Sequence, residues 1–369
     1  MSILFDTYLR WVRKALWGQA DAVPVQADEA MLTALVRLCT EQATGPLVFP
    51  TMLRESAVPE GLRMQMKAIC ARTMQQQVKL RHTLSVAWQA LTAAGISPVL
   101  MKGASLAALY RDASLRTWSD IDLYVGKTQY HPACAALRET FPEALKFDEE
   151  LDHYKHYNLI ADGVSIEVHR VTAALPHPTD DRRYVRMEAY GTANGERMAV
   201  NGLEVRVFEP TFNALFVFLH AWEHMLTKGA CVRQFCDLAL VLHQYAPRID
   251  RKRLKRDLER LHLMEIWRVY MGAIVQYIGL DAAEAPFYSE AYAARAERLM
   301  TDLLTGPVAE KVSEDAPKNR WLRKIHTMRQ RIHETQRLRP YSASYARHMQ
   351  AGVLLRGALR LFAKDRHWE

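Results

Sequence analysis

The chain has no apolar run of about 18 residues, so no membrane-spanning helix is predicted. It has little cysteine. Cys39, Cys70, Cys134, Cys231 and Cys236 are scattered and odd in number, which argues against a disulfide framework. A reducing compartment fits better, and a cytoplasmic location is expected. Cys231 and Cys236 have no second pair with which to complete a zinc site, and they read as small buried helical residues. The first ten residues lack a basic segment followed by an apolar core, so no secretory signal is expected. There is no internal repeat and no low-complexity linker.

What is present is an ordinary globular composition, 49% hydrophobic and 24% charged, over 369 residues. That length is enough for two or three packed units. The net charge of +8 is uneven. Residues 320–369 hold twelve Lys and Arg against Glu334, Asp365 and Glu369, which leaves the rest of the chain at −1. The basicity belongs to the tail, which weakens the case for a protein that binds nucleic acid as a whole. The tail alternates basic residues with Trp321, Leu322, Ile325, Met328 and Ile332, and Val353 to Phe362 is amphipathic. It reads either as a contact for an anionic surface or as a solvated helix packing its apolar stripe on the fold.

Residues 1–96 read as helical, with apolar spacing from Met31 to Cys39 and a long breaker-poor segment from Leu62 to Ala94. Val99 to Met101 reads as a short buried strand, followed by a turn at Gly103 and a helix Leu106 to Tyr110 that Ser105 would cap. A second strand is expected from Thr117 to Val125, then a helix from Lys127 to Phe141. Asp162-Gly163 marks a hairpin within Tyr154 to Arg170, and Asn201-Gly202 marks another between Met198 and Phe208. Four helices are expected after Pro210: Thr211–Leu226, Val232–Gln244, Asp250–Leu261 and Met264–Ile278. The expected fold class is α+β: a small mixed sheet at 97–209, flanked by an N-terminal helical region, 1–96, and a C-terminal helical domain with a basic tail, 210–369.

Asp120-Ile121-Asp122 places two carboxylates on one face of a strand, with Ile121 and Leu123 on the other. Such a pair stays ionised most easily around a cation. In the later hairpin arm Ser165, Glu167 and His169 share a face, so Glu167 can supply a third oxygen ligand. The turn at Gly103, with Lys102 before it and Arg116 beyond, offers backbone N–H groups and positive charge to phosphate. Carboxylates for metal, a phosphate cradle and neutralising cations are the parts of a phosphoryl or nucleotidyl transfer site.

Several of these residues carry a second reading. Glu167 could pair with Arg170 or Lys155, and His169 could simply be packed or hydrogen-bonded. Arg116 could be a structural ion-pair residue, and Lys102 could pair with Asp120 or Asp122. His220 and His224 share a helix face, a spacing that suits metal, packing or contact with phosphate. Arg233 and Asp237 are four apart and read as an intrahelical pair, with Arg233 facing the nucleotide as the other reading.

The order of elements resembles the polymerase-beta-like nucleotidyltransferase superfamily, and more closely its uncharacterised bacterial branch. The matching residues are Lys102-Gly103-Ala-Ser-Leu106, Leu109-Tyr110, Arg116, Asp120-Ile-Asp-Leu123 and Glu167-Val-His169. His220-Ala-Trp-Glu-His224 and Arg233-Gln-Phe-Cys-Asp237 extend the likeness, which covers roughly residues 80–245. The superfamily usually has Gly-Ser or Gly-Gly in the turn, whereas here Ala104 separates Gly103 from Ser105. The resemblance implies transfer of a nucleoside monophosphate from an NTP, with Mg²⁺ as cofactor and Mn²⁺ as a substitute. It places metal on Asp120, Asp122 and Glu167, and nucleotide or phosphate on Lys102, Gly103, Ser105, Arg116, His169 and Arg233. A small molecule, sugar, peptide, protein or RNA end stays open as acceptor. The competing expectations are transfer of the γ-phosphate and a degenerate nucleotide-binding module.

Overall fold

A computed structural model describes residues 1–18, 28–147, 151, 153–227, 229–306, 326, 329, 332, 333 and 335–362. Trp321, Leu322, Ile325 and Met328 of the basic tail lie outside these residues. None of the helices among the described residues is long and apolar enough to cross a membrane.

Four helices come first: α1 (Ile3–Trp17), α2 (Glu29–Glu41), α3 (Gly45–Glu55) and α4 (Glu60–Ala93). The chain leaves α4 through Gly95, whose φ of +73° is the left-handed geometry that glycine adopts at little cost. Next come β1 (Val99–Met101), α5 (Gly103–Ala107), β2 (Asp120–Tyr124) and α6 (Gly126–Thr140). They are followed by β3 (Leu145–Lys146), β4 (His156–Ala161), β5 (Val164–His169) and α7 (Pro178–Ala193). The second hairpin is β6 (Glu196–Val200) and β7 (Leu203–Val207). The later helices among the described residues include α8 (Pro210–Thr227), α9 (Val232–Tyr245), α10 (Arg251–Arg260), α11 (Met264–Ala273), α12 (Ala293–Thr305) and α13 (Ala343–Phe362). A π-helical turn, Ile274–Ile278, extends α11.

The main sheet has the order β1-β2-β5-β4-β3. Only β2 and β5 run parallel; the other neighbours are antiparallel. The fold is therefore the α+β arrangement expected, a small mixed sheet among helices. Period-two alternation drives Ile121, Leu123, Ile166 and Val168 into a core with Leu84, Trp88 and Leu91 of α4 and Tyr130 and Leu137 of α6. Each of the four strand residues is fully buried. At about 25 cal/mol per Å² of apolar surface, this face holds the sheet against its helices. The opposite faces of β2 and β5 are then left to carry polar groups. The N-terminal and C-terminal helical regions share a second core, in which Tyr8, Val12 and Phe49 join one cluster with Phe218, Trp267 and Tyr270.

Three local expectations change. The second strand begins at Asp120 rather than Thr117. Asp120 already pairs with Ser165, one residue from the start of β5 at Val164, so earlier residues have almost no partner strand. The helix after β1 begins at Gly103, not Leu106, so Ser105 is not its cap. The chain reverses sooner because Lys102 and Gly103 have φ of +46° and +43°. The hydroxyl of Ser105 instead donates to the Lys102 carbonyl at 2.8 Å. The segment between the two hairpins, unassigned from sequence, forms α7, with His177 as its N-cap.

Candidate active site on the β2–β5 strand pair

The parallel register sets Asp120 beside Ser165 and Asp122 beside Glu167. Alternation within each strand puts Asp120, Asp122 and Glu167 on the same face, and their oxygens lie within 4.8 Å of one another. Asp122 is 1% exposed, while Asp120 and Glu167 are half-buried. One oxygen of Asp122 is engaged: Lys102 Nζ lies 2.7 Å and His169 Nε2 3.0 Å from Oδ1. The other, Oδ2, is buried with no hydrogen-bond partner. A buried, unpartnered carboxylate oxygen is costly, and a cation would satisfy it.

His169 also reaches Glu167 Oε2, at 3.1 Å. Burial opposes a charge on His169, but hydrogen bonds to Asp122 and Glu167 outweigh it and its pKa is raised. Burial pushes Glu167 up, yet the hydrogen bond and charge of His169 bring its carboxyl down to about 2. Glu167 is therefore a carboxylate throughout the neutral range. Burial works against the Lys102 ammonium, and Asp122 and then Asp120 reverse that effect and raise its pKa. Neither Arg170 nor Lys155 takes Glu167: Arg170 meets His131 at 3.1 Å and Lys155 meets Glu223 at 3.2 Å.

The Lys102-Gly103 turn is braced from below. Lys102 adopts φ +46° and ψ −149°, a strained conformation for a residue with a side chain. A Cβ on Gly103 would lie 3.1 Å from the Trp118 ring and 3.3 Å from the Asp120 carbonyl, so only glycine brings the turn this close to β2. Arg116 is buried, and its Nη1 donates to the Gly103 carbonyl at 3.0 Å. Its other two donors grip both oxygens of Asp237, each at 2.7 Å. Arg116 thus takes its ion-pair reading, in contact with the turn rather than with open space. Asp237 is not the helix partner of Arg233, because Arg116 and the Tyr110 hydroxyl occupy it. Arg233 donates instead to the Thr117 carbonyl, just ahead of β2.

Sequence reasoning missed His156. It sits opposite His169 in the β4–β5 register, with ring centroids 5.0 Å apart. His156, Glu167 and His169 form a second group that could hold a metal. Burial and the neighbouring His169 lower the pKa of His156 to about 4, so it is a neutral imidazole at pH 7. The signal was available, since counting back from the Asp162-Gly163 turn pairs these two residues. From α8, His220 completes the surroundings. Burial and the charge of Lys102 hold its pKa well below the ordinary value, and its ring lies 4.5 Å from that of His224.

A small mixed sheet among helices, with acidic side chains aligned on two parallel strands beside a lysine-glycine turn, fits the nucleotidyltransferase-like class. Residues 28–278 match the model of the family described as uncharacterised nucleotidyltransferase, and the chain belongs to that family. No curated protein matches it. Among solved structures it is similar to an antigenic nucleotidyltransferase-like protein from Paracoccidioides brasiliensis, at 18% identity and a TM-score of 0.33, over 57% of this chain and 94% of that one. The assignment rests on the family match.

Proposed function

We propose that the chain is a Mg²⁺-dependent nucleotidyltransferase that moves a nucleoside monophosphate from an NTP to a hydroxyl or phosphate acceptor. The observation that carries this is the convergence of Asp120, Asp122 and Glu167, with Asp122 Oδ2 buried and unpartnered. An all-oxygen donor set suits a hard cation such as Mg²⁺, with Mn²⁺ a workable substitute. When bound there, the ion would neutralise triphosphate charge and lower the pKa of an acceptor hydroxyl.

The chain's own residues then have distinct tasks. Glu167 completes the ligand set as a carboxylate and stands where it can help deprotonate the acceptor. His169 fixes the orientation of Asp122 and Glu167 by sharing its Nε2 between them. Lys102 brings a fixed positive charge to the triphosphate. Ser105 and Arg116 hold the Lys102 and Gly103 carbonyls, and Arg233 holds that of Thr117, so these three are positioning residues. In the transfer an acceptor oxygen bonds to the α-phosphorus, the bond from that phosphorus to the bridging oxygen breaks, and pyrophosphate leaves. The acceptor proton passes to water.

Calorimetry with each NTP, with and without Mg²⁺, tests the reading. Metal-dependent binding that Asp122→Ala abolishes supports it; no metal-dependent binding of any NTP overturns it. With an extract supplying acceptors, label from α-labelled ATP should reach product, whereas label from γ-labelled ATP alone would mean phosphotransfer.

A further inference from the structure

A third cluster of side chains that could hold a metal ion lies on α7 and α13. His177 caps α7, Asp180 is in its first turn, and His348 is on α13. Ligand atoms of these three residues lie within 4.8 Å of one another. Asp180 is 3% exposed, and its Oδ2 meets His348 Nε2. The His177 and His348 rings stack at 4.5 Å. A third imidazole, His262, has its centroid 3.9 Å from that of His348.

Two further observations single out this cluster. His262 has a φ of +59°, at the end of α10. That left-handed position favours glycine or asparagine, so a histidine there is strained. In that position its ring stands against the His348 ring. Gly352 is the second. A Cβ there would lie 2.7 Å from the His177 Cα, so α13 approaches the start of α7 as closely as a helix can.

We propose that His177, Asp180 and His348, with His262 as the fourth donor, bind a borderline divalent cation of the Zn²⁺ class that fastens α13 to α7. Three imidazole nitrogens and one carboxylate oxygen form a tetrahedral set suited to Zn²⁺ and ill suited to Mg²⁺. The ion takes the place of the proton in the His348–Asp180 hydrogen bond. With ligand bonds of about 2.0–2.1 Å those two atoms open to about 3.3 Å, a change that side-chain rotation supplies. Arg183, which meets the other oxygen of Asp180 at 3.3 Å, then orients the ligand carboxylate. This site is independent of the nucleotide site.

The test uses the full chain stripped with chelator and titrated with Co²⁺, a coloured stand-in for Zn²⁺. It is run on wild type and on an Asp122→Asn/Glu167→Gln protein, so that ions held by the catalytic carboxylates are removed from the reading. One Co²⁺ per chain, with the intense visible bands of a four-coordinate site, is expected in the Asp122→Asn/Glu167→Gln protein, and wild type shows the same bands in addition to any ion its strand carboxylates hold. His348→Gln and Asp180→Asn should each weaken binding about 100-fold, and Mg²⁺ in excess should not displace the ion. Thermal melting guards against variants that fail to fold: Zn²⁺ should raise the Tm of the Asp122→Asn/Glu167→Gln protein, but not when His348→Gln is added to it. Three results overturn the proposal. They are no Co²⁺ bound by wild type, binding lost in the Asp122→Asn/Glu167→Gln protein, and binding untouched by both His348→Gln and Asp180→Asn.

Discussion

Arg116 and Asp237 lie 121 positions apart and meet in a buried two-pronged ion pair, with both contacts at 2.7 Å and each side chain 4% exposed. The pair ties the segment before β2 to α9, and through Nη1 it also holds the Gly103 carbonyl. Helix packing and the Lys102-Gly103 turn are thereby joined at one residue.

Breaking that pair from one side should be severe. Asp237→Ala leaves a buried guanidinium uncompensated, at a cost of about 3–5 kcal/mol, whereas Arg116→Met with Asp237→Leu should cost much less. Denaturant titration of both variants checks this. Equal losses would show that the pair is solvated rather than buried.

Gly103→Ala should separate activity from stability. The added methyl meets Trp118 and the Asp120 carbonyl, and φ of +43° strains any side chain there. A stability loss of about 1–3 kcal/mol is expected. Because the displaced carbonyl belongs to Asp120, nucleotide turnover should fall further than melting implies. A turnover rate unchanged at temperatures where the variant is folded would refute the link between turn and strand.

Nucleotide with Mg²⁺ should stabilise wild type by about 2.7 kcal/mol at a hundredfold excess over Kd. Asp122→Asn should lose nearly all of that increment, as should chelation of the metal. Differential scanning fluorimetry reads it directly. A shift that persists in both cases would mean that nucleotide binds elsewhere.

Glu188 offers a pH test through Tyr124, at the end of β2. Its carboxyl accepts from the Thr172 N–H and hydroxyl and from the Tyr124 hydroxyl, at 2.6–2.9 Å. Burial nevertheless raises its pKa, outweighing those donors. Protonation is therefore easier in the folded state than in the unfolded chain. The associated stability is present below the ordinary carboxylate range and is lost as pH rises through the raised folded pKa. Glu188→Gln should flatten that part of the stability profile, and parallel profiles for the two proteins would exclude the effect.

Much of the site follows from local pattern. Alternation in Asp120-Ile121-Asp122 and in Glu167-Val168-His169 dictates which side chains share a face, because the strand period is two wherever the strand lies. The Asp162-Gly163 and Asn201-Gly202 turns fixed both hairpins for the same reason, since the φ values above zero at all four positions are intrinsic to those residues. The Gly103 helix start is not legible in the sequence because the turn there is held partly by Arg116, thirteen residues beyond Gly103.

Sequence by itself thus determined the acidic strand faces, the hairpins and most of the helices, all properties of a few consecutive residues. Tertiary structure alone decided that β5 lies parallel to β2, so that Glu167 stands beside Asp122. It also decided that Asp237 serves Arg116 rather than Arg233, and that His348 reaches Asp180 across 168 positions. The physical reason is common to all three. Side-chain periodicity is set within one element, whereas these contacts depend on which buried faces pack together, and the loops between them impose little energetic preference on the choice.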